Sequence, residues 1–325
     1  MHRNPNEISC NHEERYYPFS RFLKKKFPFK VYKIPVNAGF TCPNMSGELG
    51  SGGCVYCANE SFSPNVKEGR LSIKEQVKAG KEFLRKRYGA EKFIAYFQSF
   101  TNTYADVNVL KERYEQALGE DDIVGISIGT RPDCVSDEVL QLISGYSRKF
   151  HTWIEYGLQS MHDRTLIKIN RGHLFNDCED AVNRTKGLGI FICLHVILGL
   201  PDEDRDDMIK TANAVSTLNV DGLKVHHLYV AKNTALADEY FNGNVKTMSI
   251  EEYVPLVVEF LEHIPANITI QRLMGDTKGK FLISPIWTLS KSKILELIKD
   301  EFNRRGTFQG SKCFRVAENN LIQEV

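Results

Sequence analysis

The chain has 325 residues, of which 42% are hydrophobic and 26% are charged, a balance typical of a globular protein with a sizeable core. Its net charge of +1 excludes a uniformly basic or acidic protein and by itself indicates no partner. The longest apolar run, residues 190–200, is about half as long as a bilayer crossing, and residues 1–17 contain no apolar stretch, so we expect a cytoplasmic protein without a membrane partner.

Short β-rich apolar runs alternate with helical patterns along most of the chain. Between the runs stand helix start signals: Ser72 with Glu75 forms a capping-box pattern, and Ser136 precedes an apolar-periodic run. A further helical pattern, 175–189, ends in Gly. The apolar runs predict strands at residues 31–36, 92–98, 123–130, 152–159, 190–199 and 222–230. Six such β/α units predict an α/β fold built on an open or partial barrel with a parallel sheet.

A second region follows residue 244. A capping-box pattern at Ser249 opens a helix, which is followed by a strand within 267–275 and a last helix over 291–305. We therefore expect an N-terminal extension over 1–30, the barrel over 31–244 and an α+β extension over 245–325. This extension is expected to pack against the barrel as a lid or a substrate-binding appendage.

Three of the eight cysteines, Cys42, Cys54 and Cys57, lie in a Gly-rich loop directly after the first predicted strand. A loop in that position lies at the C-terminal mouth of a barrel, where α/β barrels carry their chemistry. Three thiolates suit a [4Fe–4S] cluster with one iron free of protein ligands, whereas structural zinc needs four ligands. Zinc completed by a distant His remains an alternative, and Cys10 and His12 are the nearest candidates in sequence.

The spacing C-x11-C-x2-C, with Tyr56 beside the last cysteine, resembles the cysteine loop of radical S-adenosylmethionine (SAM) enzymes. This long-spaced form is similar to the branch that includes the catalytic subunit of elongator and the YtqA/YhcC-type bacterial proteins. The resemblance implies a partial (βα)6 TIM-like barrel, a [4Fe–4S] cluster on the three cysteines, and SAM. It also implies reductive cleavage of SAM to a 5′-deoxyadenosyl radical, with electrons from a donor such as flavodoxin or ferredoxin.

The same resemblance suggests which groups contact SAM. Gln159 and Arg171 have the spacing of a ribose-binding Gln and a carboxylate-binding Arg, and the planar fork of Arg suits a carboxylate. The alternative is a strand-end amide and a surface arginine. The weaker candidates are Gln98, Ser99 and Thr101 for the methionyl amine, Thr130 and Arg131 near the ribose, and His195 in place of an acid.

Several of these positions have a structural alternative. Gly129 stands where a ribose-binding Glu is expected. For Thr130 and Arg131 the alternative is a turn at the end of the strand that Pro132 makes rigid. A histidine on an apolar strand such as His195 is more often a core residue than a ligand. One of His226 and His227 is expected to face the barrel interior and contact the substrate. Of the remaining cysteines, Cys178 and Cys193 are expected in the core, whereas a role for Cys134 or Cys313 is left open.

The substrate is suggested by the elongator branch, which modifies wobble uridine in tRNA. The YtqA-like group is linked to 5-methylaminomethyl-2-thiouridine, which forms from a carboxymethylaminomethyl precursor. Residues 15–33 carry seven Lys or Arg among aromatics and no acid, and residues 291–315 carry seven basic and three acidic residues. They suit a tRNA partner, unless the aromatics pack into the core and the charges are merely solvated. A small-metabolite substrate and a non-catalytic metal protein that binds nucleic acid remain alternatives.

Overall fold

The computed structural model describes residues 14–47, 52–62 and 71–313, so Cys10 and His12 lie outside the described residues. The strands in chain order are β1 Val31–Val36, β2 Lys92–Phe97, β3 Ile123–Thr130, β4 His151–Gln159, β5 Phe191–Leu198, β6 Gly222–His227, β7 Val230–Ala231, β8 Thr269–Arg272 and β9 Leu282–Ser284. The helices are α1 Phe19–Lys26, α2 Pro43–Ser46, α3 Asn59–Phe62, α4 Ile73–Tyr88, α5 Val107–Leu118, α6 Asp137–Ser147, α7 Asp163–Lys168, α8 Phe175–Thr185, α9 Arg205–Thr217, α10 Ala235–Phe241, α11 Ile250–Glu262 and α12 Lys291–Arg305.

Seven strands form one curled parallel sheet in the order β1-β2-β3-β4-β5-β6-β8. Parallel pairing requires each strand to be followed by a crossover, and helices such as α4, α5, α6, α8 and α9 provide these connections. The carboxyl ends of all seven strands therefore meet at one edge. This architecture confirms the predicted partial TIM-like barrel.

Local sequence explains several of the helix ends. Ser72 and Glu75 form the predicted capping box at the start of α4, and the Ser136 hydroxyl accepts a hydrogen bond from the backbone of Val139. The capping box at Ser249 is also present. The helix predicted over 175–189 ends earlier, at Thr185, because Lys186 leaves the helical region with ψ 139°.

The N-terminal segment closes the end of the barrel opposite the carboxyl ends of the strands. Phe19 and Phe22 on α1 contact Trp153 in T-shaped pairs, and Phe22 also stacks on His151 at the start of β4. The backbone of Tyr17 accepts a hydrogen bond from Ile270 of β8 at 2.7 Å. For the aromatics of residues 15–33 the structure therefore favours the alternative in which they pack beneath the barrel.

The C-terminal region completes the sheet and covers one of its faces. β8 pairs in parallel with β6, and β9 pairs antiparallel with β7. Helices α11 and α12 pack on each other, with Ile294 and Phe302 of α12 fully buried. The domain boundary at residue 244 stays a prediction. No helix in the described ranges is both long and apolar enough to cross a membrane.

Candidate functional site

The three cysteines are positioned by two turns after β1. Cys42 is the N-cap of α2, which ends at Gly47 in the left-handed region with φ 90°. Cys54 and Cys57 are joined by a tight turn in which the Cys57 backbone donates to the Cys54 carbonyl at 2.9 Å. Residues 48–51 between the two turns lie outside the described ranges. All three cysteines line one cavity of about 220 Å³ at the carboxyl edge of the sheet.

Hydrogen bonds attach this loop to the segment after β4. The Asn170 side chain donates to the Gly53 carbonyl at 2.7 Å, and Asn44 donates back to the Asn170 carbonyl at 2.5 Å. The Val55 backbone donates to the Ile169 carbonyl at 3.1 Å. The loop is therefore held by neighbouring backbone, which fixes where its sulfurs lie.

Polar N–H groups surround the sulfurs. Asn44 and Arg171 each lie 3.6 Å from the Cys54 sulfur, and Asn59 lies 3.4 Å from the Cys57 sulfur. Burial, together with the charges of Cys54 and Cys42, raises the pKa of Cys57 to about 12. The Cys57 thiol therefore needs a bound cationic group to be held as a thiolate at neutral pH.

The sulfur spacing discriminates between the possible metal groups. In the described parts of the chain, Glu155, Cys193 and His195 form a group whose possible ligand atoms all lie within 4.8 Å of one another, and the three loop sulfurs do not form such a group. A single zinc ion, with Zn–S distances of about 2.3 Å, holds its sulfurs about 3.8 Å apart. The three sulfurs therefore do not have the close spacing of a single-ion site, and three cysteine ligands suit a [4Fe–4S] cluster that leaves one iron without a protein ligand.

Arg171 and Gln159 meet beside the cysteines on the cavity wall. Arg171 is buried, and its guanidinium donates to the Gly157 carbonyl at 2.9 Å as well as approaching the Cys54 sulfur. A Cβ atom on Gly157 would lie 2.5 Å from Arg171 and 2.7 Å from Gln159, so both side chains depend on that glycine. Gln159 has φ 73°, and strained backbone of this kind is often found at ligand sites.

A second arginine supports this arrangement from below. Arg131 donates to the Arg171 carbonyl at 2.8 Å and to both carboxylate oxygens of Asp133, at 3.0 and 2.7 Å. A Cβ atom on Gly172, whose φ is 76°, would lie 2.6 Å from the Asn44 side chain and 2.9 Å from the Arg131 side chain, so a larger residue here would displace both. The bidentate ion pair leaves Arg131 less available to a ligand than Arg171.

The other predicted SAM contacts are distributed unevenly. Gln98, Thr101, Thr130 and His195 line the cavity, whereas Ser99 is buried and lies off the cavity wall. The Thr130 hydroxyl is already hydrogen-bonded to that of Thr103 at 2.5 Å.

Both histidines on β6 line the cavity, and the Nε2 atom of the His226 ring is buried without a hydrogen-bond partner among the described residues. His227 uses both ring nitrogens, accepting from the Gly275 backbone and bonding to Thr288. Cys178 and Cys193 are fully buried, as expected for core thiols.

The residues that sequence reasoning missed form a buried ionic network beneath the cavity. The Glu155 carboxylate, fully buried on β4, accepts hydrogen bonds from Lys33 at 2.6 Å, from Ser127 at 2.6 Å and from Lys224. Lys224 also donates to the Tyr96 hydroxyl at 2.8 Å. The available signal was a charged residue inside an otherwise apolar strand, repeated on β1, β4 and β6.

Electrostatics distinguish this network from a metal site. Burial alone would raise the pKa of Glu155, but the ammonium groups of Lys224 and Lys33 hold it well below its usual value. Burial and the charge of Lys224 lower the pKa of His195 to about 4, so this ring is neutral at pH 7. Two ammonium groups on one carboxylate oppose another cation, although Glu155, Cys193 and His195 have suitable spacing.

The class of protein follows from the fold, the cavity and the comparison with protein families. Residues 48–215 match the Radical SAM superfamily, and residues 220–304 match the Radical SAM C-terminal domain. The chain therefore belongs to the radical SAM superfamily. It is an enzyme whose cofactors are a [4Fe–4S] cluster and SAM.

Individual relatives place the chain within the superfamily. It is 38% identical over 325 residues to YtqA of Bacillus subtilis, covering 99% of this chain and 100% of that protein. It is 35% identical to YhcC of Escherichia coli over 298 residues, covering 91% and 95%. The tRNA uridine(34) acetyltransferase of Methanocaldococcus jannaschii is 24% identical over 200 residues, covering 60% of this chain and 35% of that protein. These relatives confirm the predicted elongator-like branch.

The solved structures agree on the fold. The Elp3 protein of Methanocaldococcus infernus superposes with a TM-score of 0.66 at 17% identity, covering 86% of this chain and 64% of that chain. At this identity the likeness concerns the fold alone.

Proposed function

We propose that the chain cleaves SAM reductively on a cluster held by Cys42, Cys54 and Cys57 and uses this reaction to modify a wobble uridine of tRNA. The observation that carries the first part is the convergence of the three thiols with Arg171 and Gln159 on one cavity. Bound there, the cluster supplies the electron that cleaves SAM.

The chain's own residues bind and orient the reactants. Asn44, Asn59 and Arg171 direct N–H groups at the sulfurs, which stabilises them as thiolates. Arg171 has N–H groups beyond those used by Gly157 and Cys54, and they are suited to the SAM carboxylate. Gln159 is suited to the ribose hydroxyls. Of the weaker candidates, Gln98 and Thr130 lie where they can contact SAM, and His195 can do so only as a neutral ring.

The tRNA part of the proposal is supported by lysines around the mouth of the cavity. We call Lys232, Lys278, Lys280 and Lys291 the basic rim; all four side chains are exposed. The Lys278 backbone donates to the Ser61 carbonyl on α3, just after Cys57, and Lys291 lies 4.0 Å from Asp276 on the cavity wall. These lysines can neutralise phosphates while a nucleotide enters the cavity.

The basic residues near the C-terminus are less suited to this role. Lys312 pairs with Glu259 at 3.0 Å and with Glu262 at 2.7 Å, while Arg305 pairs with Glu301 and Glu262. Their charges are largely satisfied within the protein. We therefore assign RNA binding to the basic rim, and the uridine substrate by analogy with the relative whose name is tRNA uridine(34) acetyltransferase. We propose that the reaction is a step in the formation of 5-methylaminomethyl-2-thiouridine. We also propose flavodoxin or ferredoxin as the electron donor.

The test is 5′-deoxyadenosine formation by anaerobically reconstituted protein with dithionite, with and without tRNA that lacks the final modification. We expect product that rises when tRNA is added, no product from Cys54→Ala, and normal product from the matched control Cys313→Ala. Product that is indifferent to tRNA would contradict the RNA substrate. The absence of product from protein verified to hold four irons would contradict the cluster assignment.

A further inference from the structure

The wall of the cavity formed by β6 and β8 carries positive charge that the protein does not neutralise. Lys33 and Lys224 share the single carboxylate of Glu155. Arg272 on β8 lines the same cavity, and no described carboxylate lies within ion-pair distance of its guanidinium. Among the described lining residues Asp276 is the one acid, and it is 59% exposed and paired with Lys291.

A local irregularity of the sheet directs Arg272 to this position. The pairing of β6 with β8 shifts register between Leu223 and Lys224, so that Arg272, and not Gln271, lies opposite Lys224. Gln271 accepts a hydrogen bond from Lys33 in the barrel interior at 2.8 Å, while the next residue, Arg272, also reaches the cavity. Bulges commonly turn a side chain towards an active site.

The groups around Arg272 are arranged to meet an anion. Burial, and next the charge of Arg272, lower the pKa of His226 to well below its usual value. This ring is therefore neutral. The buried Nε2 atom of His226 has no described partner. A neutral imidazole can donate one N–H, and the guanidinium fork can donate two. An unpaired cation in a partly buried cavity is costly unless a ligand pairs with it.

We propose that Arg272, together with His226, is the subsite for a carboxylate on the substrate base. This inference rests on the proposed function, because it takes Arg171 and Gln159 to be occupied by SAM. A nucleotide that enters from the basic rim keeps its phosphates at the mouth and brings the substituents of its base deepest into the cavity. The anion that reaches Arg272 is therefore a group on the base and not a backbone phosphate.

The test uses anticodon stem-loops that differ by one charge at the wobble position: 5-carboxymethylaminomethyluridine, which carries the substituent of the proposed precursor, and its neutral amide, 5-carbamoylmethylaminomethyluridine. Binding to the reconstituted protein is measured by fluorescence anisotropy. We expect the wild type to bind the acid form roughly tenfold tighter than the amide, a difference of about 1.4 kcal/mol. Arg272→Gln should bind both forms as the wild type binds the amide, and Arg272→Lys should keep part of the preference.

Controls separate this inference from the proposed function. Arg148→Gln, an exposed Arg at the opposite end of the barrel, should behave as wild type. Thermal unfolding and iron content establish that the Arg272 variants fold, and their SAM cleavage without RNA should be unchanged.

Three results would overturn the carboxylate subsite alone. The first is equal affinity of the wild type for the two stem-loops. The second is an equal loss of affinity for both stem-loops in Arg272→Gln, which would indicate a phosphate contact. The third is loss of RNA-independent SAM cleavage in the Arg272 variants, which would indicate a SAM contact. Wild-type protein that binds neither stem-loop would overturn the tRNA substrate and this subsite together.

Discussion

Glu155→Gln is the most informative perturbation of the barrel interior. The substitution keeps the shape of the side chain but leaves Lys33 and Lys224 without their carboxylate. Removing one partner of a buried ion pair costs about 3–5 kcal/mol, because an uncompensated charge stays buried. At about 2.1 cal/mol/K of unfolding entropy per residue for 325 residues, this loss corresponds to a fall in Tm of roughly 4–7 °C.

The pH dependence of that loss identifies its cause. Burial lowers the pKa of Lys224 to about 8, and the Glu155 carboxylate opposes the shift. In Glu155→Gln the pKa therefore falls further. Above this lowered pKa, Lys224 is deprotonated in the folded variant but still protonated in the unfolded chain. The free energy of unfolding of the variant therefore rises as pH rises through the lowered Lys224 pKa. The wild type begins the same gain only near pH 8, so the stability difference should be larger at pH 6 than at pH 9.

Urea unfolding of the wild type and of Glu155→Gln at pH 6 and pH 9 measures this difference. The matched control is Glu296→Gln, a substitution of an exposed Glu that should change the free energy of unfolding by less than about 0.5 kcal/mol. A loss below about 1 kcal/mol at pH 6 would refute the reasoning. A loss that does not change with pH would show that the uncompensated charge of Lys224 does not explain the effect.

Three further changes test the site and its surroundings. Arg171→Lys should raise the KM for SAM about tenfold or more, since a single ammonium cannot replace the guanidinium that contacts Gly157 and Cys54. The KM is measured from 5′-deoxyadenosine formation at increasing SAM concentration. An unchanged KM would contradict the role of Arg171 in SAM binding. Lys278→Gln with Lys280→Gln should weaken tRNA binding and reduce the slope of log affinity against log salt by about 2, while Lys111→Gln with Lys149→Gln should not. Phe22→Ala should lower the free energy of unfolding by about 2 kcal/mol through its lost contacts with Trp153 and Phe191, but leave tRNA affinity unchanged; a selective loss of tRNA affinity would favour base stacking by this segment.

Sequence patterns were sufficient for the strands of the seven-stranded sheet and for the place of the chemistry, but they missed β9 and did not separate β7 from β6. The apolar runs predict β1 and β3 with the observed bounds, because a strand buried on both faces has few polar residues. The cysteine spacing and the interval from Gln159 to Arg171 also place these residues together on one cavity. Gln159 ends β4 and the cysteine loop follows β1, which places both at the carboxyl edge of the sheet, whereas Arg171 was predicted from the resemblance to radical SAM enzymes.

The parts that could not be predicted depend on register and on pairing at long range. Glu155, Lys33 and Lys224 are separated by 122 and 69 residues, and only the registers of the sheet bring them together. The burial of Phe22 under the barrel and the pairing of Lys312 with Glu262 are likewise tertiary facts. The composition of the basic and aromatic segment 15–33 does not distinguish rings that stack on RNA from rings that pack on Trp153.

The ionic network also determines how the cavity can be used. Lys33, Glu155 and Lys224 fill the barrel interior, and among the described residues the rings of α1 close the end beneath them. A substrate would therefore enter at the carboxyl edge of the sheet, beside the basic rim. Glu155 neutralises one of the two lysines, and Arg272 adds a further positive charge at the same level. A neutral floor would accept any base that fits the cavity, whereas the proposed subsite would favour an anionic substituent roughly tenfold, or by about 1.4 kcal/mol. If the substrate is the proposed wobble nucleotide, this preference would let the cavity select among its modification states, which is the discrimination that a late step in a modification sequence requires.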